Sequence, residues 1–202
     1  TLLYWFVPFL NTYGPFPIAI STGILLLLSL YLAIYIGLFS MALTCIGMSM
    51  TALFFSVPTL WVSLEFMRSF LFSGFPWELL GHTQYNALHI IQISDMVGVY
   101  GISFLISLSN GLLFLLYQYA TRQDWQGQKI GFRQLFTCAV IVGVTIGAVW
   151  YYGAWRISTM EDRISRAPHK RIAIVQGNID QTKKWDPAYQ ISTIEKYLQL
   201  SK

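Results

Sequence analysis

The stretch that decides the fold runs from Ile18 to Leu43 and reads IAISTGILLLLSLYLAIYIGLFSMAL. It contains no charged side chain, and no Asp, Glu, Lys or Arg occurs anywhere from Thr1 through Leu64. A helix needs about 20 apolar residues to cross a bilayer core about 30 Å thick, where every backbone N–H and C=O group must be paired internally. The stretch is therefore predicted to be a membrane-spanning helix.

Other parts of the chain repeat this pattern. Of the 202 residues, 55% are hydrophobic and 11% are charged, whereas a soluble domain carries about 25% charged residues. Prolines and a glycine between Thr1 and Pro17 favour an interfacial loop there. We predict a polytopic α-helical membrane bundle over residues 1–155, with spans at about Ile18–Leu43, Ile46–Leu64, Ile90–Tyr119 and Leu135–Trp155. Because the chain begins at Thr1 rather than Met and stops at Lys202 inside a predicted helix, we expect a fragment cut at both ends.

The basic residues predict how the bundle is oriented. Arg122–Arg133 (RQDWQGQKIGFR) is the most basic short loop between spans and is expected in the cytoplasm. The segment Trp61–His89 and everything after Trp155 would then face outward. A denser basic cluster from Arg156 to Arg171 opposes this orientation, although long translocated domains are largely exempt from the rule. No continuous basic stripe with aromatics emerges, so the net charge of +4 does not predict a nucleic-acid partner.

The outward segment is predicted to form an interfacial arm at about residues 61–89. Its first part has helical spacing of apolar residues, and Gly74-Phe75-Pro76-Trp77 then breaks the helix. Phe75 and Trp77 either anchor the arm at head-group level, as an aromatic belt does, or have a binding role. The spacing alone leaves both interpretations open.

Residues 156–202 have the pattern of a water-soluble region that follows a linker. Arg171–Val175 is rich in β-branched residues and predicts a buried strand, and Asp186 with Pro187 predicts the N-cap and first residue of a helix. Strand, loop and helix would be the first unit of an α/β domain. The loop Gln176–Trp185 leaves the strand's carboxyl end, where such sheets commonly bind ligands. An ordinary surface loop, with Trp185 packed over the helix start, is the alternative.

Other candidate sites have simpler interpretations. Asp95, near the start of the third span, can reach water or cap a helix, and Gly98, Gly101, Ser103, Ser107 and Asn110 are suited to close helix approach. The histidines lack metal-ligand spacing with one another, so no metal site is predicted. Cys45 and Cys138 lie in predicted spans, where an apolar setting favours packing over nucleophilic chemistry.

Four motifs together resemble the apolipoprotein N-acyltransferase family of bacterial inner-membrane enzymes, and this resemblance covers nearly the whole chain. The motifs are Trp61–Arg68 (WVSLEFMR), Gly74–Trp77 (GFPW), Gly98–Asn110, and Val175–Ile179 (VQGNI) followed by Lys184-Trp185-Asp186. The resemblance implies a transmembrane bundle followed by a nitrilase-like α-β-β-α sandwich in the periplasm, of which residues 156–202 would be the truncated start.

The resemblance also implies a function. Proteins of this family transfer an acyl chain from a phospholipid to the amino group of the diacylglyceryl-modified N-terminal Cys of lipoproteins, through a Cys thioester and without a cofactor. Their Glu-Lys-Cys triad is expected beyond Lys202, so no catalytic residue is assigned in this chain and the fragment alone should be inactive. Glu195 is interpreted as a solvated helix residue. Trp185 and Trp77 match family tryptophans implied to line the acyl-substrate entrance, and Phe75, Gln176 and Asn178 accompany them as candidate substrate-binding residues.

Three alternatives stay open. A membrane-anchored nitrilase-like amidase would use the spans only as anchors, and a scaffold would lack the triad altogether. A transporter would require polar residues that converge at mid-bilayer or paired repeats of broken helices, and neither pattern is found in the sequence.

Overall fold

The computed structural model describes residues 3–14, 16–45, 49–168, 170–181 and 183–201. The chain divides into two compact units: a central unit of residues 30–166, and a terminal unit of residues 1–29 together with 167–202. Helices dominate the central unit. In chain order the α-helices are α1 (Phe6–Tyr13), α2 (Ile18–Cys45), α3 (Met50–Arg68), α4 (Leu88–Ile91), α5 (Ser94–Thr121), α6 (Phe132–Arg166) and α7 (Gln190–Leu200).

Four of these helices, α2, α3, α5 and α6, are long and apolar enough to cross a membrane. They confirm the predicted polytopic helical bundle and correspond to the four predicted spans. The boundaries differ in places: α3 continues to Arg68, so the first residues of the predicted arm belong to a span, and α6 runs past Trp155 to Arg166. The predicted start of the second span at Ile46 lies outside the described residues.

The segment predicted as a loop before the first span contains a helix instead. Helix α1 begins at Phe6 and includes Pro8 as its third residue. Proline is tolerated in the first turn of a helix, because the backbone N–H that it lacks has no partner within the helix there. The proline was therefore weaker evidence for a loop than its presence suggested.

The core of the central unit lies where α3, α5 and α6 meet. Helix α3 packs along α5, and α5 packs against α6. The buried apolar residues that form one cluster are Met50, Leu53 and Phe54 from α3, Leu108 and Leu115 from α5, Ile130 from the preceding loop, and Leu135, Cys138 and Val142 from α6. Helix α2 shows almost none of its apolar surface to this core, which suits a helix whose solvent is lipid.

Glycines allow two close approaches at the end of the bundle that carries the arm. A Cβ atom on Gly153 of α6 would lie 1.8 Å from the carbonyl oxygen of His89, and one on Gly81 would lie 2.5 Å from that of Val99. Close approach of another helix, which is predicted at Gly98 and Gly101, is not found there, because neither has another element against it. Ser103 and Ser107 of the same predicted face are buried as expected.

The terminal unit departs from the predicted strand. Residues 170–180 have no regular secondary structure, so the strand predicted over Arg171–Val175 is absent. A strand is stabilised by hydrogen bonds to a neighbouring strand, and the part of the chain that is described offers no partner for it. The predicted N-cap is found, because the Asp186 side chain accepts a hydrogen bond from the Ala188 N–H at 2.9 Å, but it begins a short 3₁₀ turn, Pro187–Tyr189. Helix α7 itself begins after this turn, at Gln190. That an α/β domain starts here stays a prediction.

Candidate functional site

The arm loop, residues 69–87, begins with a sharp reversal after α3. Gly74 has a φ of 84°, and a Cβ atom there would lie 2.2 Å from the carbonyl oxygen of Ser69, so only glycine fits. The Phe75 N–H then donates to the carbonyl oxygen of Arg68 at 3.0 Å. The Gly-Phe-Pro-Trp motif therefore folds back on the end of α3 as a tight turn.

Phe75 and Trp77, two of the candidate substrate-binding residues, lie together in this turn. Their rings are stacked, with centroids 5.6 Å apart and 24° between the planes. Trp77 is 49% exposed, and Phe70 and Phe72 nearby are exposed as well. The turn thus presents a surface of aromatic rings at the end of a span, which is the chemistry needed to hold acyl chains or to anchor in head groups.

Polar contacts fix the arm loop to the helices beneath it. Arg68 donates from Nη2 to the carbonyl oxygen of Trp77 at 3.1 Å. The carboxylate of Glu65 accepts from the Leu80 N–H at 2.7 Å and from the Trp61 indole at 3.0 Å, both through Oε1. Charge-assisted hydrogen bonds of this kind are short and directional. The aromatic turn is therefore held at both of its ends by α3.

Helix α5 supplies a second set of contacts. The Tyr100 hydroxyl donates to Ser69 Oγ at 2.7 Å, and the Gly81 N–H donates to the buried Ser103 Oγ at 2.8 Å. This part of α5 is predicted from the sequence to be a helix-packing face. In the structure, Tyr100 and Ser103 of this face form hydrogen bonds with the arm loop.

A cavity of about 290 Å³ lies beside α3, and Glu65 and Arg68 are in its wall. Glu65 is only 5% exposed. Both residues belong to the Trp61–Arg68 motif, but no role is predicted for them from the sequence. A signal was available, because Glu65 is the first charged residue of the chain and falls within an apolar helix, where a charge is a candidate functional group.

Asp95 lies in a polar cluster that joins α5 to α6. Its carboxylate accepts from the Tyr152 hydroxyl at 2.9 Å and from Arg156 Nε at 3.0 Å. The helix-capping interpretation of Asp95 is wrong, since Ile93 occupies the N-cap position and makes no side-chain cap. Next to this cluster, the His89 and Trp150 rings are stacked with centroids 5.3 Å apart.

The other candidate residues, Gln176, Asn178 and Trp185, lie in the terminal unit. Gln176 and Asn178 are exposed, and Asn178 has a left-handed backbone with a φ of 46°. Trp185 is 80% exposed, and Lys184 Nζ lies 5.7 Å from its ring centroid. The alternative in which Trp185 packs over the helix start is therefore wrong, whereas a plain surface loop and a binding loop both remain compatible with this geometry.

No group of three or more His, Cys, Asp or Glu side chains within the described ranges could hold a metal ion. At the arm end of the bundle, the carboxylates of Glu65 and Asp95 are engaged by hydrogen bonds. The chemistry available to the described residues is thus apolar and aromatic contact, supplemented by single charges and by the amides of Gln176 and Asn178.

Comparison with known proteins gives relatives that are named apolipoprotein N-acyltransferase. The sequence profile for the apolipoprotein N-acyltransferase N-terminal domain matches residues 1–112. The apolipoprotein N-acyltransferase of Geobacter metallireducens is 40% identical over 202 residues, which are 100% of this chain and 37% of that protein. The enzyme of the same name from Coxiella burnetii is 30% identical over 187 residues, which are 93% of this chain and 35% of that protein. The enzyme of this name from Haemophilus ducreyi is 29% identical over 196 residues, which are 97% of this chain and 35% of that protein.

The chain spans about a third of the length of these curated relatives. No solved structure matches it. The four apolar helices, the motifs of the arm and the sequence profile agree with one another. This multi-pass membrane chain belongs to the apolipoprotein N-acyltransferase family.

Proposed function

We propose that the full-length protein transfers an acyl chain from a phospholipid to the α-amino group of the diacylglyceryl-modified N-terminal Cys of bacterial lipoproteins. The observation that carries the proposal is the stacked Phe75–Trp77 pair, held by α3 at the end of a span, in a chain of this family. A lipid acyl donor stays in the bilayer, so an enzyme that uses it needs an apolar surface at the membrane boundary. The pair supplies such a surface.

The chemistry proposed for the full-length protein proceeds in two steps. A Cys thiol loses its proton to a Glu general base and attacks the ester carbonyl of the phospholipid, which forms a thioester and releases a lysophospholipid. The amino group of the lipoprotein then attacks the thioester, which forms the amide and releases the thiol. A Lys side chain stabilises the oxyanion in both steps. These three residues are expected beyond Lys202.

The residues of this chain would bind and orient the substrates. Phe75 and Trp77 would contact the acyl chains as they leave the bilayer, and Trp185 would contribute an apolar surface of its own to substrate binding. The side-chain amides of Gln176 and Asn178 can donate and accept hydrogen bonds to ester and amide groups. Burial of acyl carbons against these rings would also keep water from the thioester.

The proposed location is the bacterial inner membrane, with the region after α6 in the periplasm. The loop Arg122–Arg133 connects the ends of α5 and α6 that lie away from the arm. Its basic residues favour the cytoplasmic side. The arm loop would then lie on the periplasmic side, where lipoprotein acceptors are presented.

The proposal is tested with the full-length protein in proteoliposomes that contain phosphatidylethanolamine and a diacylglyceryl peptide. Trp77→Ala and Trp185→Ala should each lower N-acylation by about tenfold to a hundredfold, since burial of a large apolar side chain contributes about 1.5–3 kcal/mol and each 1.4 kcal/mol is tenfold. Trp155→Ala is the matched control, because Trp155 is an exposed tryptophan of α6 outside the proposed site. Unchanged acylation in both variants would refute the binding roles.

A second measurement tests the reaction itself. The proposed enzyme should form a lipid-labelled Cys thioester that hydroxylamine releases. Ammonia release from small amides, with no labelled thioester, would instead indicate a membrane-anchored amidase.

A further inference from the structure

A polar cavity lies at the end of the bundle that is away from the arm. It has a volume of about 410 Å³, and its walls are the last turn of α5 and the loop that connects α5 to α6. All of its residues belong to the central unit. The polar side chains in the wall are Gln118, Tyr119, Arg122, Gln123 and Lys129.

The loop that forms one wall of the cavity is held in place by the core. Trp125 and Gln128 exchange two backbone hydrogen bonds of 3.0 Å, and the two residues between them have left-handed backbones, as in a tight hairpin turn. The Trp125 ring packs edge-on against Phe114 of α5 with centroids 5.4 Å apart. Ile130 is part of the buried apolar cluster. The cavity is therefore a product of the fold.

Gln118 has a buried atom without a partner in this cavity. The residue is only 5% exposed, and its side-chain Oε1 is buried and makes no hydrogen bond. A buried acceptor that lacks a donor is costly, and most such groups in native proteins are satisfied by protein, water or ligand. Because Gln118 lines the cavity, a ligand there can supply the missing O–H or N–H donor.

The charges in the wall define the rest of the ligand. Lys129 lies 3.7 Å from the Asp124 carboxylate, whereas Arg122 takes part in neither of the two ion pairs found among the described residues. The wall therefore has a net positive charge. Basic side chains at a helix C-terminus are already favoured by the helix dipole, so the charges alone do not define a site. Together with Gln118 they fit an anion that also carries a hydroxyl, since an ammonium would be repelled by both cations.

Exposed aromatic rings beside the cavity indicate where the ligand comes from. The Tyr119 ring in the wall lies 6.4 Å from that of Phe132, which is stacked on Phe136 at 6.2 Å. All three side chains are exposed. Aromatic residues at the end of a span concentrate at head-group level, and basic pockets between the ends of membrane helices bind anionic head groups. The surroundings therefore favour a ligand from the bilayer.

We propose that this cavity binds the head group of an anionic phospholipid that carries a hydroxyl next to its phosphodiester, as phosphatidylglycerol does. Arg122 and Lys129 donate to the phosphodiester oxygens, and the head-group hydroxyl donates to Gln118 Oε1. Soluble glycerol phosphate has the same chemistry, but the aromatic rings favour the lipid. The site lies at the opposite end of the bundle from Phe75 and Trp77, and it does not require acyl transfer.

The test uses the full-length protein in phosphatidylcholine nanodiscs that contain a minor amount of head-group-labelled lipid. A photo-crosslinking amino acid replaces Gln123, which lines the cavity. The matched control carries it in place of Gln128, which is exposed on the same loop but does not line the cavity. Labelled phosphatidylglycerol should react severalfold more at position 123 than at position 128. Labelled phosphatidylcholine, which has no net charge and no head-group hydroxyl, should react equally at both.

Gln118→Met is the decisive variant, because Met has a similar length and fits an apolar interior but removes the amide acceptor. It should lower labelling by phosphatidylglycerol at position 123 about fivefold, as expected for the loss of one hydrogen bond. Labelling by phosphatidylmethanol, an anionic phosphodiester without a hydroxyl, should not change. This second lipid also shows that the variant is folded.

The charge is tested separately at Arg122. Arg122→Gln should lower labelling by both anionic lipids about fivefold, the effect of one basic residue near an anionic membrane surface. Arg133→Gln is the control, because Arg133 begins near the same loop but does not line the cavity. An equal loss in the two variants would indicate attraction to the membrane surface as a whole and would contradict a defined site.

Three other results would overturn the proposal. They are equal labelling by phosphatidylglycerol at positions 123 and 128, full labelling by this lipid in Gln118→Met, and an equal loss for phosphatidylmethanol in that variant. Soluble glycerol phosphate, added in excess, should not reduce the labelling. If it does, the site belongs to a soluble anion and the lipid is the wrong ligand.

Discussion

The two exposed tryptophans of the candidate site are held in very different ways. Trp77 lies in the central unit, where Arg68 binds its carbonyl oxygen, its ring stacks on Phe75, and Glu65 fixes the residues that follow. Trp185 lies in the terminal unit, where Lys184 Nζ approaches its ring. Membrane helices therefore fix the arm loop, whereas the loop of Trp185 packs on its own helix, where Gly177 lies against the ring of Tyr197.

The helices of the two units also differ in whether their apolar side chains are buried. In the central unit α3, α5 and α6 bury a shared cluster of apolar side chains. In the terminal unit the stripe of Ile191, Ile194 and Leu198 on α7 is exposed. An amphipathic helix of this length is marginal in water unless its apolar stripe is covered. Order in the central unit should therefore depend on interhelical contacts, and order in the terminal unit on local ones.

The largest effect is expected at Gly153, where α6 touches α4. In Gly153→Ala the new Cβ would lie 1.8 Å from a backbone carbonyl oxygen, so a helix must move. Overpacking of this kind lowers the free energy of unfolding by about 1–3 kcal/mol. The measurement is thermal unfolding in detergent micelles. Gly147→Ala on the same helix is the control, because its Cβ meets no atom within 4 Å, and it should be neutral or stabilising.

A similar or somewhat smaller effect is expected at Glu65. In Glu65→Ala the Leu80 N–H and the Trp61 indole lose their acceptor, and an unsatisfied buried donor costs about 1–3 kcal/mol. Hydrogen exchange of the Leu80 amide should therefore accelerate, together with exchange across the arm loop. Glu65→Gln retains the acceptor and should exchange much more slowly than Glu65→Ala. If the two variants exchange alike, the arm loop is not fixed by this carboxylate.

The smallest effect is expected at Asp186, in the terminal unit. Asp186→Ala removes the N-cap of the 3₁₀ turn Pro187–Tyr189 that leads into α7. An N-cap stabilises a helix by about 1 kcal/mol, so the variant should increase amide exchange in this turn. Asp186→Asn keeps a capping oxygen and serves as the control. Exchange in the arm loop should stay unchanged in both variants. A response there would contradict the local character proposed for the terminal unit.

The parts of the fold that follow from local physics were predictable from the sequence. Long uncharged runs predict spans because the bilayer imposes a minimum length, and the Asp186-Pro187 pair predicts a helix start because capping depends only on neighbouring residues. The turn at Gly74-Phe75-Pro76-Trp77 was predictable for the same reason, and the positive φ of Gly74 confirms it. The helix itself ends earlier than predicted, at Arg68.

Features that depend on distant residues were not predictable. The sequence does not reveal that Glu65 meets Leu80, that Asp95 meets Arg156, or that Gly153 meets His89, because each contact follows from how the helices pack. The prediction of a strand over Arg171–Val175 is wrong for a related reason, since β-branched residues favour a strand only where a partner strand exists. The binding roles of Phe75, Trp77, Gln176, Asn178 and Trp185 stay predictions.

Helix α6 is longer than a membrane span requires. It contains 35 residues, and at about 1.5 Å per residue it is about 52 Å long, whereas the hydrocarbon core measures about 30 Å. The excess is the charged end that includes Glu161, Asp162, Arg163 and Arg166. A helix of this length sets the height above the hydrocarbon core at which the chain leaves its C-terminal end. It also sets the direction in which the chain leaves. One inserted residue would turn that exit by about 100°, while a whole inserted turn would raise it by about 5.4 Å and nearly restore its direction.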